Sequence, residues 1–202
     1  MKLYISPGAC SAASHIVLRE LGLPFDIEKI NNKTKVTASG ADFWKINPKG
    51  YVPALQLDDG SVLTEGPVIM QYLADKKPES GLAPANGTME RYRLQEWLGF
   101  INSELHKSYS PLFYADTPEQ TKQSSIEKIG KRLDFIEANL KGKEYLLGNK
   151  LTIADIYLFV VVGWSGFVGI NLDKWPAVKA HQARIGARPS AQAAQEAEKA
   201  AA

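Results

Sequence analysis

The first thirty residues constrain the chain most. Met1 to Ser6 alternates, with Leu3 and Ile5 on one side and Lys2, Tyr4 and Ser6 on the other, which predicts a strand. Pro7-Gly8 breaks it. Ser14 to Leu21 reads as a helix, with Ile16, Val17, Leu18 and Leu21 apolar and Gly22 as its stop. Pro24 then opens a second alternating strand, Phe25 to Ile30. Strand, helix and strand within thirty residues make a βαβ unit. Between the first strand and the helix stands Cys10, the single cysteine of the chain. A thiol there faces unpaired backbone N–H groups and the positive end of the helix dipole, and both favour the thiolate. A free cysteine is also a common small buried hydrophobe, so position alone leaves both readings open.

Composition narrows the class. With 24 basic and 22 acidic residues the net charge is +2, and no Lys/Arg block implies nucleic acid. One cysteine excludes an internal disulfide and fits a reducing compartment. Pro7-Gly8 interrupts any signal-peptide core, and the longest apolar run, Ile156 to Gly163, is too short to span a bilayer. A soluble cytoplasmic protein is expected.

Beyond the βαβ unit, Asn31 to Gly40 is a polar loop containing Lys35. A short helical turn, Asp42 to Asn47, leads into Asn47-Pro48-Lys49-Gly50-Tyr51-Val52-Pro53 and a strand through Leu57. If the Val52–Pro53 bond is cis, the Val52 N–H and C=O turn outward and can pair with a peptide-like ligand as an added strand. Asp58-Asp59-Gly60 is a hairpin turn before Val62-Leu63. Thr64-Glu65-Gly66-Pro67 starts an apolar helix, whose N–H groups can cap locally or receive an anion. Gly66 leaves room for such an anion to approach.

In that order and spacing, the strand–helix opening, the NPKGxVP loop and the TEG turn resemble the N-terminal domain of cytosolic glutathione transferases. Met1-Lys2-Leu3-Tyr4 with Pro7-Gly8-Ala9-Cys10-Ser11 is similar to the bacterial beta class, whose members carry cysteine at this position. The resemblance runs nearly end to end. The fold it implies is α/β plus all-α: a thioredoxin-like βαβ–ββα domain over residues 1–77, then an all-helical domain over 88–202.

The second half reads as helical. Thr88 caps a long predicted helix through Leu105. Thr117-Pro118-Glu119-Gln120 reads as a capping box. Ile126, Ile129, Leu133, Ile136 and Leu140 form a seam for another helix. Thr152 and Asp155 form a second box, which resembles the buried helix-start motif of the family's all-helical domain and so implies a folding role for Asp155. The Ala-rich end, 191–202, is helix-prone with little to bury, so its last residues are expected to fray. Phosphate cradles and metal spacings are absent from the sequence.

The resemblance also implies a site. The equivalents of His106 and Lys107, in Ser103-Glu104-Leu105-His106-Lys107, approach the cysteine sulfur in that family, and the whole motif lines the glutathione site. As cations or donors the two would stabilise a thiolate. Val52 would pair with the cysteinyl backbone of glutathione, Glu65 with the γ-glutamyl amine, the Gly66 N–H with its carboxylate, and Lys35 with the glycyl carboxylate. Cys10 would lie beside the sulfur, with Cys10 and His106 as the catalytic pair. Tyr109, Phe113 and Trp164 match an apolar wall for the electrophile. One departure is visible: the family often has Asn where this chain has Gly99, so a somewhat altered site is expected.

The implied activity is conjugation of the glutathione thiolate to small hydrophobic electrophiles, by a homodimer, with glutathione as co-substrate and no cofactor. Two other classes stay open. One is a glutathione-dependent thiol–disulfide oxidoreductase, in which Cys10 forms a mixed disulfide resolved by external glutathione. The other is a non-catalytic ligand-binding protein of the same fold.

Overall fold

The computed structural model describes residues 1–200. Close packing divides it into two units, Met1–Ser80 with Ala187–Ala202, and Gly81–Gly186. The expected fraying at residues 201–202 lies outside the described residues.

The first unit is built on a four-stranded sheet of order β2-β1-β3-β4. Strands β1 (Lys2–Ile5) and β2 (Asp26–Lys29) run parallel, joined by α1 (Ser11–Glu20). The short helix α2 (Phe43–Ile46) follows. Then β3 (Ala54–Gln56) pairs antiparallel with β1 and with β4 (Val62–Thr64), and α3 (Gly66–Asp75) completes the βαβ–ββα order. Alternation sends Tyr4 and Ala54 to one face, where they pack with Ile30 and Phe43. Leu3, Ile5 and Leu55 are wholly buried. The predicted strands and helices of this unit are all present. The first helix begins earlier than the sequence suggested, so that Cys10 is its N-cap residue.

The second unit is helical. Helix α4 (Met89–Phe100), capped by the Thr88 hydroxyl, does not run on as an α-helix to Leu105. It passes into a π-helical turn, Ile101–His106, and then α5 (Lys107–Tyr109). Along this stretch Ser103 Oγ donates to the Gly99 carbonyl at 2.9 Å and Ser108 Oγ to that of Glu104 at 2.5 Å.

Helix α6 (Glu119–Leu140) buries Ile129, Leu133, Ile136 and Leu140. Ile126 is exposed, so the seam starts one turn later than predicted. The capping box at Thr117 does not form either. Pro118 is the N-cap, and its carbonyl receives the amides of Thr121 and Lys122, which leaves Thr117 outside the helix. The second box does form: α7 (Ile153–Gly163) starts with Thr152 and Asp155 bonded reciprocally. Buried Asp155 also accepts from Leu146 N at 2.8 Å and pairs with His181 Nε2 at 3.1 Å on α8 (Pro176–Gly186).

The last helix, α9 (Pro189–Ala200), belongs to the first unit and packs on α1. It buries Ala191, Ala194 and Glu198, so this stretch has more to bury than its composition suggested. Arg188 and Ser190 both bond Glu20 at the end of α1.

Candidate functional site

In the first unit the loop before α1 turns at Gly8 (φ 75°) and carries Cys10 to the helix start. The Cys10 thiol is half-buried and donates to the Val52 carbonyl at 3.4 Å. Two of the predicted site residues therefore meet.

The loop that presents Val52 is folded by Asn47. Its side chain donates to Tyr51 O at 2.7 Å and accepts from Lys49 N at 3.1 Å. Gly50 is required twice over: its φ is +68°, and a Cβ there would fall 2.5 Å from the Trp44 indole. The Val52–Pro53 peptide bond is cis. Gly66 is less constrained. An added Cβ would meet Pro53 Cγ at 3.6 Å, an ordinary contact, so packing does not demand glycine there.

Among the described residues, Lys35 (φ 56°) and Glu65 (φ 69°) are the non-glycine residues with positive φ. Such conformations cost an ordinary residue about 1–2 kcal/mol and concentrate at functional sites. Both belong to the set implied by the resemblance. Glu65 is the N-cap of α3, but its carboxylate does not cap the helix; it pairs with Lys49 Nζ at 2.7 Å. The Lys35 ammonium lies 6.0 Å from the Tyr51 ring.

The hydroxyl of Ser11, next to Cys10 in sequence, is already committed: Ser11 is buried and exchanges hydrogen bonds with the Ser6 backbone. A further group was not found by sequence reading. Glu198 of α9 accepts from Gly8 N at 3.2 Å and lies 3.1 Å from Nδ1 of buried His15. Arg19 Nε donates to His15 Nε2 at 2.8 Å. The turn leading to Cys10 is thus held by a residue near the far end of the sequence. No local pattern signals a partner that distant.

In the second unit, Ser103, Glu104, Leu105 and His106 lie on the π turn and Lys107 follows it. Leu105 has no accessible surface, so its side chain is core and only its backbone could meet a ligand. Glu104 turns to α6, bonding Arg132 at 2.6 Å with Lys128 at 3.6 Å; Arg132 first, then Lys128, holds its carboxyl below the usual range. His106 bonds the Tyr157 hydroxyl through Nδ1 at 2.7 Å, and Tyr157 donates to Asn102 Oδ1 at 2.9 Å. Burial, reinforced by the Lys107 charge, lowers the His106 pKa to about 4. The imidazole is therefore neutral near pH 7, so of the two forms expected there, a cation or a donor, the cation is not the resting one.

Trp164 packs edge-on against His106 at 4.8 Å, Phe113 at 5.5 Å and Tyr109 at 5.9 Å. Of these rings Phe113 is exposed. Tyr109 is wholly buried with its hydroxyl on Ser165, and burial raises its pKa to about 12. Tyr109 thus backs Trp164 rather than presenting a surface.

Two family models match the chain: glutathione S-transferase, N-terminal domain, over residues 8–76, and glutathione S-transferase, C-terminal domain, over residues 95–189. The chain is 44% identical over 198 residues to glutathione S-transferase GstA of Escherichia coli O157:H7, covering 98% of each protein. It is 34% identical to glutathione S-transferase GST-4.5 of Xanthomonas campestris pv. campestris, again over 98% of both. Among solved structures, it is similar to BphK, a bacterial GST in a ternary complex, at 53% identity and a TM-score of 0.98, covering 98% of this chain and 100% of that one. A sphingomonad glutathione S-transferase complexed with glutathione gives 46% identity and a TM-score of 0.96, over 98% of this chain and 99% of that one. The beta-class enzyme of Sphingomonas chungbukensis gives 46% and 0.95, over 98% of each.

Proposed function

Because the chain belongs to the glutathione S-transferase family, we propose that it joins the thiol sulfur of glutathione to an electrophilic carbon of a small hydrophobic compound. The family assignment favours this transfer over thiol exchange or non-catalytic binding. The observation that carries the site is the Cys10 thiol at a helix start, 3.4 Å from the Val52 carbonyl.

In this reading, Val52 pairs with the cysteinyl backbone of glutathione in the manner of an added strand. Glu65 receives the γ-glutamyl amine and the Gly66 N–H the adjacent carboxylate, at the positive end of α3. Lys35 takes the glycyl carboxylate. Cys10 lies against the sulfur. The motif Ser103 to Lys107 contributes through Ser103, the Leu105 backbone, His106 and Lys107, while Glu104 enters only by exchanging its partners on α6. Phe113 and Trp164, backed by Tyr109, form the apolar wall. Transfer requires the thiolate, and each unit by which the site lowers a thiol pKa near 8.5 is worth about 1.4 kcal/mol. The thiol proton leaves, the sulfur lone pair forms the carbon–sulfur bond, and the leaving group departs with its bonding electrons.

The protein acts as a homodimer in the cytoplasm in this reading. Exposed Met89 and Tyr92 leave apolar surface on α4, and no helix among the described residues is long and apolar enough to cross a membrane. Incubation of purified protein with glutathione and an aryl halide tests the activity, with a glutathione thioether expected by mass spectrometry. Absence of product across a panel of electrophiles, with glutathione still bound, would favour a binding protein. Equilibrium sedimentation tests the dimer; only a ~22 kDa species at micromolar concentration would refute it.

A further inference from the structure

The π turn places Asn102 and His106, four residues apart, against one side chain of α7, the buried Tyr157. A tyrosine hydroxyl has one proton to give. Tyr157 gives it to Asn102 Oδ1 at 2.9 Å, so a lone pair faces His106, 2.7 Å from Nδ1. That bond forms only if Nδ1 carries the hydrogen. A neutral imidazole carries a single ring proton, so Nε2 is then left with its lone pair. The edge of Trp164 against the ring, 4.8 Å between centroids, opposes the flip that would exchange the two nitrogens.

We propose that Tyr157 and Asn102 are positioning residues that fix the His106 proton on Nδ1 and so present Nε2 as a proton acceptor. This rests on the reading above, in which His106 serves the glutathione thiol. It changes what His106 does there. A cation or an N–H donor would stabilise a thiolate already formed, whereas a bare Nε2 takes the proton that makes it. The thiol S–H bond breaks, its electron pair stays on sulfur, and the proton forms an N–H bond at Nε2. Burial makes the resting imidazole a weak base, with a pKa of about 4. The thiolate created beside it supplies the opposite charge that raises its basicity, as in other thiolate–imidazolium pairs. The Nδ1–H bond to Tyr157 becomes charge-assisted at the same moment. Proton loss to solvent after transfer restores the neutral ring.

The test is nitrogen-15 NMR of histidine-labelled full-length protein near pH 7, with the His106 signals identified by their loss in His106→Ala. The wild type should show Nδ1 protonated and Nε2 bare. Tyr157→Phe removes only the hydroxyl and should move His106 toward the Nε2–H form. It should lower kcat for transfer about tenfold while glutathione affinity stays within about twofold. Asn102→Ala should shift the tautomer in the same direction, and Asn102→Asp, which can only accept, should keep the wild-type form. A wild-type Nε2–H tautomer, or a Tyr157→Phe spectrum identical to wild type, overturns the proposal. If Tyr157→Phe does not fold, the Asn102 pair decides: identical spectra for Ala and Asp overturn it. His106→Ala with undiminished transfer would remove His106 from the reaction, while the tautomer measurement still judges the relay.

Discussion

Nζ of Lys49 lies 2.7 Å from Oε1 of Glu65, so the carboxylate assigned to the glutathione amine already faces a cation in the free protein. Both side chains are more than half exposed, and such pairs contribute only about 0–1 kcal/mol. The amine of glutathione can replace the lysine at little cost. Glu65→Ala should weaken glutathione binding by about 1.5–3 kcal/mol, roughly 10- to 100-fold, because a charged hydrogen-bond partner is lost. Lys49→Met should change it by less than about fivefold. Calorimetry measures both, and unchanged affinity in Glu65→Ala would remove this residue from the site.

Glu28 on β2 gives a pH dependence. Burial opposes its charge, but Lys2, Ser39 and Thr37 together outweigh burial and hold its pKa at about 2, against an ordinary 4.5. Lys2 Nζ is 2.8 Å from Oε2. In the unfolded chain the carboxyl titrates at the higher value, so below it the unfolded state binds the extra proton. The stabilisation is complete above about pH 5 and is lost as pH falls toward 2. Glu28→Gln should therefore cost about 1–3 kcal/mol near neutral pH, with the gap to wild type closing between about pH 5 and 2. Urea unfolding at stepped pH checks this; a gap independent of pH would mean that the lost charge is not the cause.

The elements of the first unit were legible because each is declared locally. Alternation marks β1, Pro-Gly and Asp-Gly mark the turns, and Thr152 with Asp155 marks the start of α7 in the same way. What escaped depends on groups distant in sequence or on backbone detail. The spacing of Ile126 and Ile129 is the same as in a buried stripe, but it cannot say where the neighbouring helix begins. Thr117 and Gln120 look like a capping box until Pro118 takes the cap position itself. The π turn leaves no periodic trace in the sequence. Of the site, Cys10 and Val52 offered a local chemical reading, whereas Glu65 and Lys35 entered only through the family resemblance. Asn102 and Tyr157 were not, because their role exists only once the π turn and α7 are side by side.

Gly99 offers a gain-of-function test. It lies within α4, and a Cβ there would meet nothing within 4 Å. Gly99→Asn should fold, with slightly better helix propensity, by about 0.3–0.5 kcal/mol. If the asparagine common at this place in the family helps to hold glutathione, restoring it should lower the apparent KM for glutathione about 3- to 10-fold, the value of one added hydrogen bond. kcat should change little. A KM equal to that of wild type would show that this chain binds glutathione in a way that does not use the position.

Cys10 separates the two reactions that the site could support. Its thiol stands half-exposed at the N-cap of α1 but makes no cap hydrogen bond and donates to the Val52 carbonyl, so of the two effects expected at a helix start only the positive end of the dipole acts on it. Transfer uses the sulfur of glutathione, and the remaining contacts still position that molecule. Cys10→Ala should therefore keep measurable aryl transfer and lose thiol exchange altogether. Intact mass after incubation with oxidised glutathione should show one added glutathione on the wild type and none on the variant. With a single cysteine, that adduct is reversed by external glutathione. A wild type that gains no mass would contradict the sulfur contact. Full exchange activity in Cys10→Ala would make Cys10 a packing residue, and the thiolate argument from its place at the helix start would fail with it.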